Sequence, residues 1–214
     1  MLRISLIFIG LLFSTLIIAT PMLKADFIFE SQSEFVAAAG SLDIETFESS
    51  PNIGTEDSGG LLEIIFDDFT ASADIEALKI FDTPLFGNGN TTPGGENYLA
   101  VDTDIGFTST DLTLSFDSPI DSLGFFLVDA EEPYTVSIDG SEFSIGGFGD
   151  GSVSYFGIIA DSPFGSITIA STGTDSFSSI DDVSYGNSIP EPSSCLIICI
   201  VAAAFLKRKQ TAAN

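Results

Sequence analysis

The stretch YTVSIDGSEFSI, residues 134–145, decides how the rest of the chain is read. Tyr134, Val136 and Ile138 alternate with Thr135 and Ser137, the period of two that turns one face of a strand to a core and the other to water. Asp139-Gly140 then interrupts the pattern. A two-residue Asp-Gly link needs positive φ, which marks a β-hairpin, and "SEFSIG" supplies the returning strand.

The same period appears upstream, where Leu112, Leu114 and Phe116 alternate with Thr113 and Ser115. Further strands are expected at Ile44 to Phe47, Leu62 to Phe66, Leu78 to Phe81, Tyr98 to Asp102, Leu123 to Val128, Val153 to Ile159, Ser166 to Ala170 and Ile180 to Tyr185. One helix interrupts them near the start. Ser31 and Glu34 form an S-x-x-E capping box ahead of Phe35, Val36 and three alanines, and Gly40 ends the run. Short strands punctuated by Gly, Pro and Asp predict an all-β chain, an antiparallel jelly-roll-like β-sandwich with one short N-terminal helix. Its core is built from phenylalanine, of which the chain has 20, without tryptophan. Asp-Ser/Thr-Pro recurs at Asp82, Asp117 and Asp161. Proline pre-sets a turn and the acid can bond nearby amides, so these read as corners leading into strands.

Charge is distributed unevenly. Between Asp26 and Ile189 stand thirty acidic residues and one base, Lys79, a formal charge of −29. Such a body repels nucleic acid and anionic lipid, so no nucleic-acid partner is expected. A cation, a neutral polymer such as a glycan, or a basic partner suits it. The absence of histidine removes Ser-His and Cys-His catalysis and ordinary zinc sites. Both cysteines, Cys195 and Cys199, lie in the C-terminal apolar run, leaving the body without a disulfide.

The other bases stand at the two ends. Arg3, an uncharged apolar run from Ile4 to Ala19, Pro21 and Ala25 follow the order of a secretory signal peptide over residues 1–25, with cleavage after Ala25 or retention as a signal anchor. At the other end Cys195 to Leu206 is twelve apolar residues, roughly 18 Å as a helix against a hydrocarbon core of roughly 30 Å. Adding Ser193 and Ser194 and letting Lys207 to Lys209 snorkel narrows the gap, which gives a C-terminal transmembrane helix with its basic cluster on the cytoplasmic side.

Pro190-Glu191-Pro192, the apolar stretch and Lys207-Arg208-Lys209 in that order resemble the PEP-CTERM sorting signal. The resemblance implies an exosortase-like processing enzyme as partner, export across the inner membrane of a bacterium, membrane anchoring through the C-terminal helix, and release to the cell surface or extracellular matrix. Two prolines would keep an extended strip accessible outside the bilayer. The pieces "FDSPIDSLGFFLVD", "SYFGIIADSPFGSITI" and "SFSSIDDVSYG" resemble the extracytoplasmic β-sandwich common in such proteins. That implies a carbohydrate-module-like fold and exopolysaccharide as a partner, with no catalytic residues. The expected organisation is a signal peptide at 1–25, an acidic sandwich at 26–186, the sorting signal at 187–209 and a tail at 210–214.

Two acidic groups are candidate sites. In "SIDDVSYG" a regular strand puts Asp181 on the side of Val183 and Tyr185, and Asp182 on the side of Ile180, so one carboxylate faces apolar company. A buried carboxylate must be protonated, hydrogen-bonded or paired. Structural calcium on Asp181 and Asp182, with oxygens from Glu45 or Glu48, meets that need, and a surface turn, an edge or a bulge is the alternative. Asp102-Thr103-Asp104 with Gly106 is a second acidic group, lacking the twelve-residue calcium-loop pattern. "DIETFE", 43–48, approaches the acidic strand of laminarinase-like glycosidases, but Glu48 falls on the opposite parity from Asp43 and Glu45. A glycan-active enzyme and a protein-binding adhesin are therefore the alternatives to a non-catalytic matrix protein. Tyr98, Tyr134 and Tyr155 are the candidates for stacking on sugar.

Overall fold

The computed structural model describes residues 26–50, 60–81, 92, 95–102, 111–128, 133–147, 152–171 and 177–188. The expected signal peptide, Pro190-Glu191-Pro192, the transmembrane segment, Lys207-Arg208-Lys209 and the corner at Asp82 lie outside these residues. Among the described residues no helix is long and apolar enough to cross a membrane.

The elements are β1 (Phe27–Phe29), α1 (Gln32–Ala39), β2 (Asp43–Glu45), β3 (Glu63–Ile65), β4 (Phe69–Ala73), β5 (Leu78–Phe81), β6 (Tyr98–Asp102), β7 (Leu112–Val128), β8 (Tyr134–Ile138), β9 (Ser141–Ile145), β10 (Val153–Ser171) and β11 (Phe177–Gly186). Every pairing is antiparallel. The hairpin of β8 and β9 closes as the sequence predicts, with Asp139 at φ 46° and Gly140 at φ 83° and Ile138 opposite Ser141.

Two strands hold the architecture together. β7 and β10 are 17 and 19 residues long, and their pairing slips between Ile159, opposite Ser122, and Ser166, opposite Ser115. Asp117-Ser118-Pro119 and Asp161-Ser162-Pro163 sit at this slip. Proline cannot donate to a ladder, so it belongs where the ladder is broken. The motifs thus mark bends inside long strands, rather than corners leading into separate ones. On one side of the bend β7 and β10 belong to a layer ordered β3-β4-β7-β10-β8-β9. On the other side they belong to a second layer, β1-β10-β7-β11, extended beyond β11 by β2 at one end and by β6 and β5 at the other.

The layers face one another across a core that takes Leu112 and Leu114 from the first and Phe125, Leu127, Phe156 and Ile158 from the second. The outer face of the second layer is covered by α1, whose Phe35 packs with Tyr155 and Ala39. Gly124 and Gly157 face each other across β7 and β10 beneath the Phe35 ring. A Cβ at Gly124 would collide with the Tyr155 hydroxyl and lie 2.8 Å from Phe35, so the approach requires glycine. Ser31 is the N-cap in extended conformation, but its hydroxyl bonds Ser33 Oγ at 3.0 Å, and the expected capping bond is not made. Gly40 ends the helix at φ 89°, its N–H donating to Val36 O at 3.0 Å.

The two sides of the sandwich differ. On one side Leu61 and Leu78 exchange both backbone hydrogen bonds at 2.9 Å, joining the approach to β3 in the first layer to β5 in the second. On the other side, where β9 and β1 are the outermost strands, a groove of about 910 Å³ runs between the layers.

Candidate functional site

Asp181, Asp182, Glu45 and Glu48, singled out in the sequence, lie around one place in the second layer. β6 pairs β11 as far as Ile180 opposite Leu99, and β2 pairs it from Val183 opposite Glu45. Asp181 and Asp182 fall in the gap between these partners. The register with β7 slips there too, between Asp181 opposite Phe126 and Ser184 opposite Gly124. Asp182 takes up the extra residue at φ 50°, a left-handed conformation that aspartate tolerates. The regular alternation expected for "IDDV" is therefore broken: Ile180 and Val183 both enter the core, and both aspartates between them are 2% exposed.

The gap is laced by carboxylates acting as acceptors. Asp181 Oδ1 accepts the Asp182 backbone N–H at 2.7 Å, and Asp181 Oδ2 accepts the Thr92 hydroxyl. Glu48 Oε1 accepts the N–H groups of Glu96 at 2.7 Å and Asn97 at 2.6 Å, while Asn97 Nδ2 donates to Phe47 O at 3.1 Å. Glu45 Oε1 turns back on its own chain, taking the Phe47 N–H at 2.6 Å where Phe47 stands at φ 60°. The end of β2 and the approach to β6 are thus bound to each other and to the bulge of β11. Burial first, and then the charges of Asp182 and Glu48, push the Asp181 carboxyl up to about 7 against the opposing pull of the two bonds it accepts.

Calcium requires six to eight oxygens converging on one point. Among the described residues no group of three or more Asp, Glu, His or Cys side chains is arranged to hold a metal ion. Asp181, Asp182, Glu45 and Glu48 therefore share a neighbourhood without forming one ligand set, since Glu45 and Glu48 spend an oxygen each on nearby backbone. Of the second acidic group, only Asp102 is described, at the end of β6. "DIETFE" is strand only to Glu45, after which the chain turns at Phe47, so its acids do not line one strand face. The tyrosines expected to stack on sugar are buried: Tyr98, Tyr134 and Tyr155 are 3%, 1% and 5% exposed, drawn in by the packing of their strands.

The groove was not legible in the sequence. It lies between β9, with Glu142 and Phe143, and the opening residues of β10, Val153 to Phe156, under Phe29 and Glu30. Its signal is tertiary, because it depends on which strands end up at the open side.

No protein-family model matches the chain, and no curated protein matches its sequence. Among solved structures it is similar to the K2 cleaved adhesin domain of Lys-gingipain, with TM-score 0.45, 15% identity, and 68% of this chain and 99% of that one covered. The K1 cleaved adhesin domain of Lys-gingipain from Porphyromonas gingivalis W83 gives TM-score 0.45 at 15% identity over 70% and 100% of the two chains. A carbohydrate-binding module solved with β-1,4-galactotriose gives TM-score 0.36 at 18% identity over 66% and 97%.

Proposed function

We propose that the chain is an exported, non-catalytic surface or matrix protein, processed at its C-terminal segment by an exosortase-like enzyme, whose acidic sandwich lies among neutral exopolysaccharide. The observation that carries this reading is where the described strands begin and end relative to the two motifs. β1 begins at Phe27, just past Ala25, and β11 ends at Gly186, just short of Pro190. Beyond β11, Ser188 is fastened by two bonds to Asp121, at 2.6 Å from its N–H and 3.1 Å from its hydroxyl. At the other end Asp26 Oδ1 accepts the Asp161 N–H at 2.9 Å. Asp26 and Ser188 thus fasten the two ends of the described sandwich, and every described ladder is made between Phe27 and Gly186.

Two further features support the reading. Asp181 and Glu48 are occupied in bonds to Thr92 and to the approach to β6, and the chain has no histidine to act as a general base. A formal charge of −29 between Asp26 and Ile189 suits an uncharged matrix better than an anionic one. Intact mass of the mature species tests the proposal. The expected mass lacks residues 1–25 and the segment beyond the sorting motif, whereas the mass of the uncut chain, or full-length protein in the cytosol, would overturn it. Glycan binding measured beside turnover is expected to show binding to neutral polymers without hydrolysis.

A further inference from the structure

The groove on the open side contains a length of main chain with one hydrogen-bonding edge unused by any described strand. From Val153 to Ile159, β10 pairs with β7 along one edge. Along its other edge β1 pairs only with Gly157, Ile158 and Ile159, because the chain leaves the ladder after Phe29 and turns into α1 at Ser31. On that edge Val153 to Phe156 have no strand partner among the described residues. Four residues of strand present about 13 Å of main chain. Natural sheets usually blunt such an edge with lysine, proline or a covering segment. Here it borders a groove whose lining includes Val153, 40% exposed, and Ile28, 45% exposed.

The side chains around this edge fix the character of what could pair with it. Phe29 and Phe143, both half-buried, face the groove from β1 and from β9 and offer apolar contacts to alternate residues of an added strand. Glu30 and Glu142, both exposed, flank it on the same two sides. The groove lining contains no basic residue, and the one base among the described residues, Lys79, is buried in β5.

We infer that the groove is a β-augmentation site, in which an extended polypeptide alternating apolar and Lys or Arg residues pairs with Val153 to Phe156 and sets its cations against Glu30 and Glu142. Three candidates for the occupant separate on chemistry. A second copy of this chain would bring together two bodies each carrying −29. A polysaccharide has hydroxyls but lacks the alternating N–H and C=O groups that a strand edge matches. A basic strand satisfies both the edge and the charge. The inference is independent of the polysaccharide reading: the one could fail and the other stand.

The test uses the protein and a synthetic peptide of about ten residues alternating valine with lysine, kept below the concentration at which it self-associates. Its partners are the same peptide with glutamate for lysine, the lysine peptide N-methylated at alternate residues on one edge or on the other, and neutral and amino-sugar oligosaccharides. The lysine peptide is expected to bind at least about tenfold more tightly than the glutamate peptide, more so at low salt. One of the two N-methylated peptides should lose binding and the other keep it, because only one edge meets β10. Glu30→Lys with Glu142→Lys, both at exposed positions, should invert the preference between lysine and glutamate peptides. Equal binding by both N-methylated peptides, an unchanged preference in the double variant, or saturable binding of oligosaccharide that the lysine peptide cannot displace would each overturn the site.

Discussion

At the residue scale, Asp181 shows what the sequence revealed and what it hid. Two adjacent acids in an apolar strand announced that a carboxylate would be buried, and Asp181 and Asp182 are both buried. Of the alternatives to a regular strand, the bulge is the one formed, and its position was hidden because it depends on Asp182 adopting φ 50°, which no residue type enforces. Burial leads to a pH dependence. The folded carboxyl of Asp181 titrates at about 7 and the unfolded one at 3.8, so between these values the folded chain holds a proton that the unfolded chain has lost. Stability must then fall as pH rises through that window and level off above it. For one group over the whole window the change is on the order of 4 kcal/mol. Melting curves of the parent and of Asp181→Asn from pH 4 to pH 8, in chelator, isolate this group from the other carboxylates. The difference between the two proteins should grow with pH in favour of the asparagine variant, and a constant difference would show that Asp181 does not titrate in that window. Repeating the series in calcium tests whether a cation can replace the proton: a rise in melting temperature at pH 8 that vanishes in Asp181→Asn would assign calcium to the gap.

At the element scale, strands with large alternating side chains were legible and strands without them were not. The alternation in YTVSI matches β8 to the residue and SEFSIG overruns β9 by Gly146, but β4, FTASA, carries one large apolar side chain and gives no such signal, and β1 is three residues long. The Asp-Ser-Pro motifs were read as turn chemistry, as their local preferences require, yet β7 and β10 run through them because the neighbouring strands continue on both sides of the bend. The contact between α1 and the second layer was also invisible, since nothing near Phe35 points to Gly124 and Gly157 far along the chain. That contact gives a coupled prediction. Tyr155 Oη is buried without a hydrogen-bond partner among the described residues, and burial first, then the charge of Asp182, push its pKa upward. Tyr155→Phe removes an unsatisfied polar atom and should stabilise the domain by roughly 1 kcal/mol in urea unfolding. Gly124→Ala places a methyl against that same hydroxyl and should destabilise by about 2 to 3 kcal/mol. In the double variant the colliding atom is gone, so the cost of the alanine should shrink by about 1 kcal/mol or more. Strict additivity would mean that the hydroxyl is not what the methyl meets.

At the scale of the whole molecule, class and charge could be read from the sequence, but the difference between the two sides could not. Whether a sandwich is closed or open along a side depends on pairings such as Leu61 with Leu78, each too short to be seen as a strand in advance. Charge has the more general consequence. Between Asp26 and Ile189 the chain holds thirty acids and one base, and that base, Lys79, is 1% exposed, so among the described residues no exposed cation stands among the surface carboxylates. Folding brings these charges closer together than they are in the expanded chain, and self-repulsion works against the compact state. Salt should relieve it, because the Debye length shortens from about 30 Å at 0.01 M to about 8 Å at 0.15 M. The melting temperature of the domain at pH 8 is therefore expected to rise by several degrees between these two concentrations of sodium chloride, and to rise little more beyond 0.5 M. Acidification to pH 5 in 0.01 M salt, which protonates Asp181, should recover the Asp181 share of stability, and salt should still raise the melting temperature there. If melting at pH 8 proved indifferent to salt while remaining steep in pH, local burial rather than the field of the whole surface would be what limits this fold.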